Sequence, residues 1–158
     1  GDPDAVSARL QTAGLAPRFV GTEIGRASTI KMLRSIMIKG MEALSAECFR
    51  AAVRAGVADD VAASLDASEG GTSWAKRASY NMERMAVHGI RRAAEMREVA
   101  KTLSDLGIAP MMTTGTITRE QEMGEVGRLV TLDAATPIAE QMALVERALD
   151  TLNAQTND

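Results

Sequence analysis

Aromatic residues are nearly missing from this chain: two phenylalanines, one tyrosine and one tryptophan, 3% of the sequence. A core cannot be built from large rings here, so it must come from small and flexible aliphatic side chains. Ten methionines suit that task, because the unbranched thioether fills irregular gaps. The single cysteine, Cys48, excludes an intramolecular disulfide. Set among Ala46, Phe49 and Ala52, it is expected as a small core residue. One histidine, His88, beside that one cysteine leaves no metal-ligand cluster. No apolar run reaches the roughly 18 residues that span a bilayer. No basic-then-apolar leader opens the chain, so a cytoplasmic protein without a membrane partner is expected. A net charge of −3 argues against a general nucleic-acid binder, which would show a basic face. There is no G-x-G-x-x-G, so the turn that cradles a dinucleotide pyrophosphate is absent.

What remains is an ordinary globular composition, 46% hydrophobic and 25% charged over 158 residues, enough for one domain with a helical core. Pro3 to Leu10 reads as a short helix stopped by Gly14, and Ala16 to Val20 as a short strand ending at Gly21. One strand cannot make a sheet, so its partners are expected elsewhere. From Gly25 everything reads as helix. The first runs to about Ala55, with Gly40 inside it, where a close approach or a tolerated accident are equally good accounts. A second spans about Ala58 to Ser68, opened by Asp59 and Asp60, and Glu69-Gly70-Gly71 breaks it. Thr72 or Ser73 caps a third, to about Val87, with Trp74 as a core or interface anchor. Gly89 predicts a joint, and a fourth helix runs to Leu106. A loop over 107–115 leads to a capping box of Thr118 and Gln121 that opens a fifth helix, with Glu120 and Glu122 as surface charges in its first turn. Thr136-Pro137 opens a last helix to about Leu152, followed by a frayed end to Asp158.

The most informative stretch is Gly21 to Glu47. Ile30, Met32, Leu33, Ile36, Met37, Ile38, Met41 and Leu44 cover too much circumference for a helix with one wet face. Ser28, Lys31, Ser35 and Glu42 fall within roughly 60° on a helical wheel of about 100° per residue, and Ile38 interrupts the stripe. Spacing alone thus predicts a polar seam with one cation, facing a cleft or a partner. A desolvated lysine has its pKa lowered and can exchange protons near neutral pH. The plainer account is a lysine snorkelling from the helix end or paired with Glu23.

The run Gly25 to Ser35 resembles the opening of the helical C-terminal domain of β-hydroxyacid dehydrogenases and their 6-phosphogluconate dehydrogenase relatives, whose pattern is close to G-x-x-G-x-G-x-x-x-K-x-x-x-N. Lys31 takes the lysine position and Gly25 the second glycine. Thr22, Ala27 and Ser35 replace the first glycine, the third glycine and the asparagine. His88 to Met112 is similar to a less described branch of the same family, and the resemblance covers about residues 15 to 130. It implies an all-α, 6-phosphogluconate dehydrogenase C-terminal-domain-like bundle (residues 22–158) behind a short helix-strand remnant (residues 1–21) of a dinucleotide-binding domain or linker.

By the same resemblance the chain is the C-terminal part of an NAD(P)-dependent oxidoreductase that moves hydride between NAD or NADP and a small hydroxy acid or related alcohol. Lys31 is then the general acid/base. Ser28, Ser35 and Arg92 contact substrate, although Ser28 reads equally as a helix cap, Ser35 as a donor to the carbonyl one turn back, and Arg91 and Arg92 as solvated partners of Glu95. Gly25 and Glu95 are cofactor-side positions. Ile38 stands where phosphogluconate dehydrogenases carry a proton-donating glutamate, which disfavours decarboxylation. Expected partners are a small-molecule substrate, an N-terminal Rossmann-type domain and a second copy of the chain. The rival is a non-catalytic helical dimerisation or interaction module.

Overall fold

A computed structural model describes residues 2–69, 71 and 73–156. The described residues form six helices and no strand: α1 (Pro3–Thr12), α2 (Arg26–Arg54), α3 (Ala58–Glu69), α4 (Trp74–Asp105), α5 (Met111–Val126) and α6 (Ile138–Thr156). The expected strand at 16–20 is irregular chain. With no neighbouring strand to pair with, its backbone has no ladder to join. The helix before it is present: Asp2 caps α1 by accepting from the Asp4 N–H at 3.0 Å. α1 buries no residue. The possible cap Thr72, the breaker Gly70 and the last two residues lie outside the described residues.

The core sits where α4, the longest helix at 32 residues, meets α2, α5 and α6. Phe49, Met82, Met85, Met96, Met123, Met142 and Val145 are its largest closed apolar side chains, so methionine fills the space that rings do not. Trp74 packs against its edge, and its backbone N–H donates to Asp66 Oδ1 at 2.7 Å. Gln141, fully buried, donates to the Asp133 carbonyl at 2.7 Å and the Thr136 carbonyl at 3.2 Å, fixing the loop before α6. Arg50 and Arg54 both donate to Glu146, binding α6 to α2.

Three sequence expectations fail, and packing explains each. Gly89 is no joint: α4 runs through it unbroken. A methyl carbon there would fall 2.7 Å from Gly124 N and 2.9 Å from Gly124 Cα, so the glycine serves close helix packing. By contrast, Gly40 meets only Thr116 Oγ1 at 3.8 Å, ordinary contact that requires no glycine. The fifth helix begins at Met111, so Thr118 lies inside α5 and donates to the Thr114 carbonyl at 3.2 Å instead of capping. Cys48 is exposed. It borders a shallow pocket together with Phe49, Leu65 and Trp74, while the Phe49 ring takes the core position.

Candidate functional site

The two halves of α2 live in different surroundings. Its second half is enclosed by α3, α4 and α5, and buries Lys39, Glu42, Ser45 and Phe49. Its first half leaves Ile30, Leu33, Met37 and Ile38 exposed, touching α4 where Thr102 Oγ1 meets Met32 Sδ at 3.3 Å. Lys31 is therefore exposed in this chain, and not enclosed as the apolar run predicts, because the helices that would surround it pack further along. It does not pair with Glu23, whose carboxylate meets Arg26 at 3.3 Å. Gly25, with φ at 90°, is the N-cap of α2, so Ser28 is inside the helix and exposed and does not cap. Ser35 donates to the Lys31 carbonyl at 3.0 Å.

α2 and α4 run antiparallel along their contact. Met32 meets Thr102, Lys39 meets Glu95, and Glu42 meets Arg92. A cleft of about 600 Å³ follows this junction. Lys31, Ser35, Arg92 and Glu95 all line it, while Ser28 and Gly25 do not. Gly25 instead borders a shallow depression with Glu23, Ile24 and Thr29. Seven cationic side chains line the cleft against two carboxylates, Glu42 and Glu95, in a chain whose net charge is −3. Glu95 accepts from Lys39 at 2.6 Å and also from Arg91. The hydrogen bond from Lys39, then the nearby positive charge, hold its carboxyl below the usual carboxylate range.

Arg92 is 5% exposed, and so is not the solvated partner of Glu95 expected from the sequence. It donates to Glu42, itself buried, and its Nη1 stands 3.7 Å from Glu120 Oε1. Glu120 is fully buried and neither carboxyl oxygen has a hydrogen-bond partner. The expected surface charge is thus a core carboxyl behind the cleft floor. Burial pushes its pKa up to about 7, Arg92 pulls against that, and the like charge of Glu42 adds to it. With α5 begun at Met111, Thr113, Thr116, Glu120 and Met123 share its inward face. That spacing is legible in the sequence once the helix start is placed correctly.

Residues 52–123 match the family model of a Domain of unknown function (DUF1932). Over those residues, less than half of the chain, it is similar to that family. A conserved hypothetical protein from Sinorhizobium meliloti 1021 superposes with a TM-score of 0.75 at 30% identity, over 92% of this chain and 48% of that one. Conserved protein MTH1747, described as structurally similar to 3-hydroxyacid dehydrogenases, gives 0.64 at 36% identity over 77% of this chain and 46% of its own. An uncharacterized 28.5 kDa protein of Methanothermus fervidus is 29% identical over 103 residues, 65% of this chain and 41% of the relative. The chain thus spans less than half the length of each relative. The described residues have an all-helical fold similar to the C-terminal domain of hydroxyacid dehydrogenases, as the resemblance at residues 25–35 and 88–112 implies. Among the described residues no group of His, Cys, Asp and Glu is placed to hold a metal ion, and no helix is long and apolar enough to cross a membrane.

Proposed function

We propose that this helical domain forms the substrate-binding side of an NAD(P)-dependent oxidoreductase acting on a hydroxy acid, with Lys31 as the general acid/base. The observation that carries the reading is the cleft: the lysine picked out by the family pattern lines the same cationic groove as Ser35 and Arg92. Arginine binds a carboxylate through two parallel N–H donors, and the cation-rich lining suits an acid as substrate. Lys31 Nζ offers a proton to, or takes one from, the substrate hydroxyl oxygen. Ser35, one turn along, offers a hydroxyl beside it. Arg92 is anchored by Glu42, so its role is to hold the floor of the cleft and its field rather than to swing onto a ligand.

The chain lacks a glycine-rich phosphate turn, so it does not itself cradle a dinucleotide, and the bulk of NAD or NADP is assigned to a Rossmann-type domain preceding it. The nicotinamide, when bound, supplies or takes the hydride. Gly25, at the start of α2 where no side chain caps the helix, and Glu95 are the positions this chain offers toward that cofactor. An apolar groove of about 350 Å³ between α2 and α5, lined by Ile36, Met37, Leu44, Met111 and Met112, supports association with a second copy.

Titration of NAD(H) and NADP(H) into this chain, and into the longest product of its reading frame, tests the reading. Binding by the longer product alone is expected. Binding by neither removes the oxidoreductase and leaves a helical association module.

A further inference from the structure

Two buried cations and three carboxyls meet at the middle of the cleft. Arg92 donates to Glu42, and Lys39 donates to Glu95 at 2.6 Å. Each buried cation is therefore already matched. Glu120, fully buried on α5, is the third carboxyl. Its Oε1 stands 3.7 Å from the same Arg92 Nη1 that donates to Glu42, and neither of its oxygens accepts a hydrogen bond. The charges that face it come from α4 and α2: Arg92, Glu42 and Lys39. On α5 itself, Arg119 and Glu122 pair with each other. On α6, Glu140, Arg147 and Asp150 are exposed, and Glu146 is held by Arg50 and Arg54.

An ionised Glu120 is an extra negative charge in a closed setting, which is costly without a cation of its own. Two ionised carboxylates cannot satisfy each other either, since both only accept. A single proton removes both penalties: a protonated Glu120 donates to Glu42, and Glu42 keeps its bond from Arg92. Burial first, and then the charge of Glu42 and the contact between the two carboxyls, raise the Glu120 pKa against the pull of Arg92 and Lys39. Glu42 and Arg92 line the cleft and Glu120 does not. The proton thus sits one side chain behind the surface that a ligand touches.

We infer that Glu120 and Glu42 share one proton behind the cleft floor, and that this proton sets the affinity of the cleft for an acid. With the proton in place, the pairs beneath the floor are balanced, and a carboxylate in the cleft meets no extra negative charge. Without it, an uncompensated charge lies behind Arg92 and repels that carboxylate, with little screening because the group is closed to water. The linkage is reciprocal: a bound acid holds the proton on the pair, and loss of the proton weakens the acid. Affinity is therefore highest below the folded pKa of Glu120 and falls as pH rises through it. Glu120 touches no ligand; it is a positioning residue that acts through Arg92 and Glu42. For the acid in the cleft the inference rests on the oxidoreductase reading; for the proton it rests on the cluster itself.

The test is titration of the 158-residue chain with lactate as the probe acid, at constant ionic strength, followed by backbone amide shifts at about pH 6.5 and about pH 8.5. Lactate stays ionised over that window. His88, its pKa lowered first by burial and then by the arginines around it, is mostly neutral there. Lactate is expected to bind at least about fivefold more tightly at the lower pH. Glu120→Gln, which carries no charge, should bind it equally at both. Side-chain carboxyl carbon shifts of the unaltered chain give a second readout that needs no variant. The Glu120 midpoint should move up when lactate is added and stay in place with neutral lactamide. If Glu120→Gln does not fold, as circular dichroism would show, this carbon titration decides. Equal binding at both pH values in the unaltered chain, a pH dependence that survives Glu120→Gln, an unmoved midpoint, or no lactate binding at all overturns the inference. Failure of the oxidoreductase reading has a different signature: no nicotinamide binding by the longer product, with the linkage of lactate to the proton intact.

Discussion

The backbones of Gly89 and Gly124 pack directly against each other, so that a methyl carbon built on Gly89 would stand 2.9 Å from Gly124 Cα. No side chain separates α4 from α5 at this point. The same approach recurs at Gly127, where an added carbon would crowd the backbone of Ala86. Overpacking a closed contact of this kind costs about 1–3 kcal/mol and sometimes more, because the helix backbones themselves must part. Gly89→Ala is therefore expected to destabilise the chain by about 3 kcal/mol in urea unfolding. Gly115, in the middle of α5 with nothing within 4 Å, gives the control: Gly115→Ala should gain up to about 1 kcal/mol from helix propensity alone. Equal effects at the two sites would show that the contact is looser than drawn.

The buried carboxyl of Glu120 predicts a pH dependence. In the folded chain it keeps its proton to about pH 7, against an ordinary value of 4.5. Between those values the native state binds more protons than the unfolded state, so stability falls as pH rises from about 4.5 through 7. The raised pKa corresponds to a loss on the order of 3 kcal/mol. Glu120→Gln keeps the shape and removes the titration. Its unfolding free energy should be flatter between pH 5 and 7 than that of the unaltered chain. Parallel curves would place the group in a wetter setting.

Arg92 offers a second stability test. It is the cation of a closed cluster, donating to Glu42 and facing Glu120. Removing one partner of a buried ion pair strands the other, at about 3–5 kcal/mol. Arg92→Ala should lose that much in denaturant unfolding, while Arg91→Ala, at an exposed pair with Glu95, should lose less than about 1 kcal/mol.

Lys31→Ala is expected to lower turnover of the longer protein at least about a hundredfold, the scale of a general acid/base contribution. Because Lys31 is exposed, the midpoint of thermal unfolding should not move. Near-normal turnover would sink the acid/base assignment.

Cys48 is exposed, so its thiol should react with Ellman's reagent in the native state about as fast as in urea. Protection in the native state would signal that a second copy, or another domain, covers this side of α2.

Helix content, most helix ends and the polar seam of α2 were legible in the sequence, because apolar spacing and glycine stops are local signals. Packing is not local. Gly89 reads as a break by propensity, and only the approach of α5 shows why an unbroken helix carries a glycine there. Glu120 reads as surface charge when its helix is started at Thr118. Moving the start back to Met111 turns the same residue inward beside Met123. Arg92 pairs with Glu42, fifty residues away, and no spacing rule reaches that far. Lys31 and Ser35 do reach the cleft, as their shared face predicts, but the arginines at its other end depend on how α4 crosses α2.

The single long helix α4 makes the cleft mechanically sensitive to a place remote from it. Arg77 lies twelve residues, about 18 Å of helix, from the close contact of α4 with α5 at Gly89. A tilt of about 5° there would carry Arg77 roughly 1.5 Å sideways over that length, enough to lengthen a hydrogen bond past its useful range. The helix thus works as a lever arm: the contact of two glycines sets where the far end of α4 stands along the cleft.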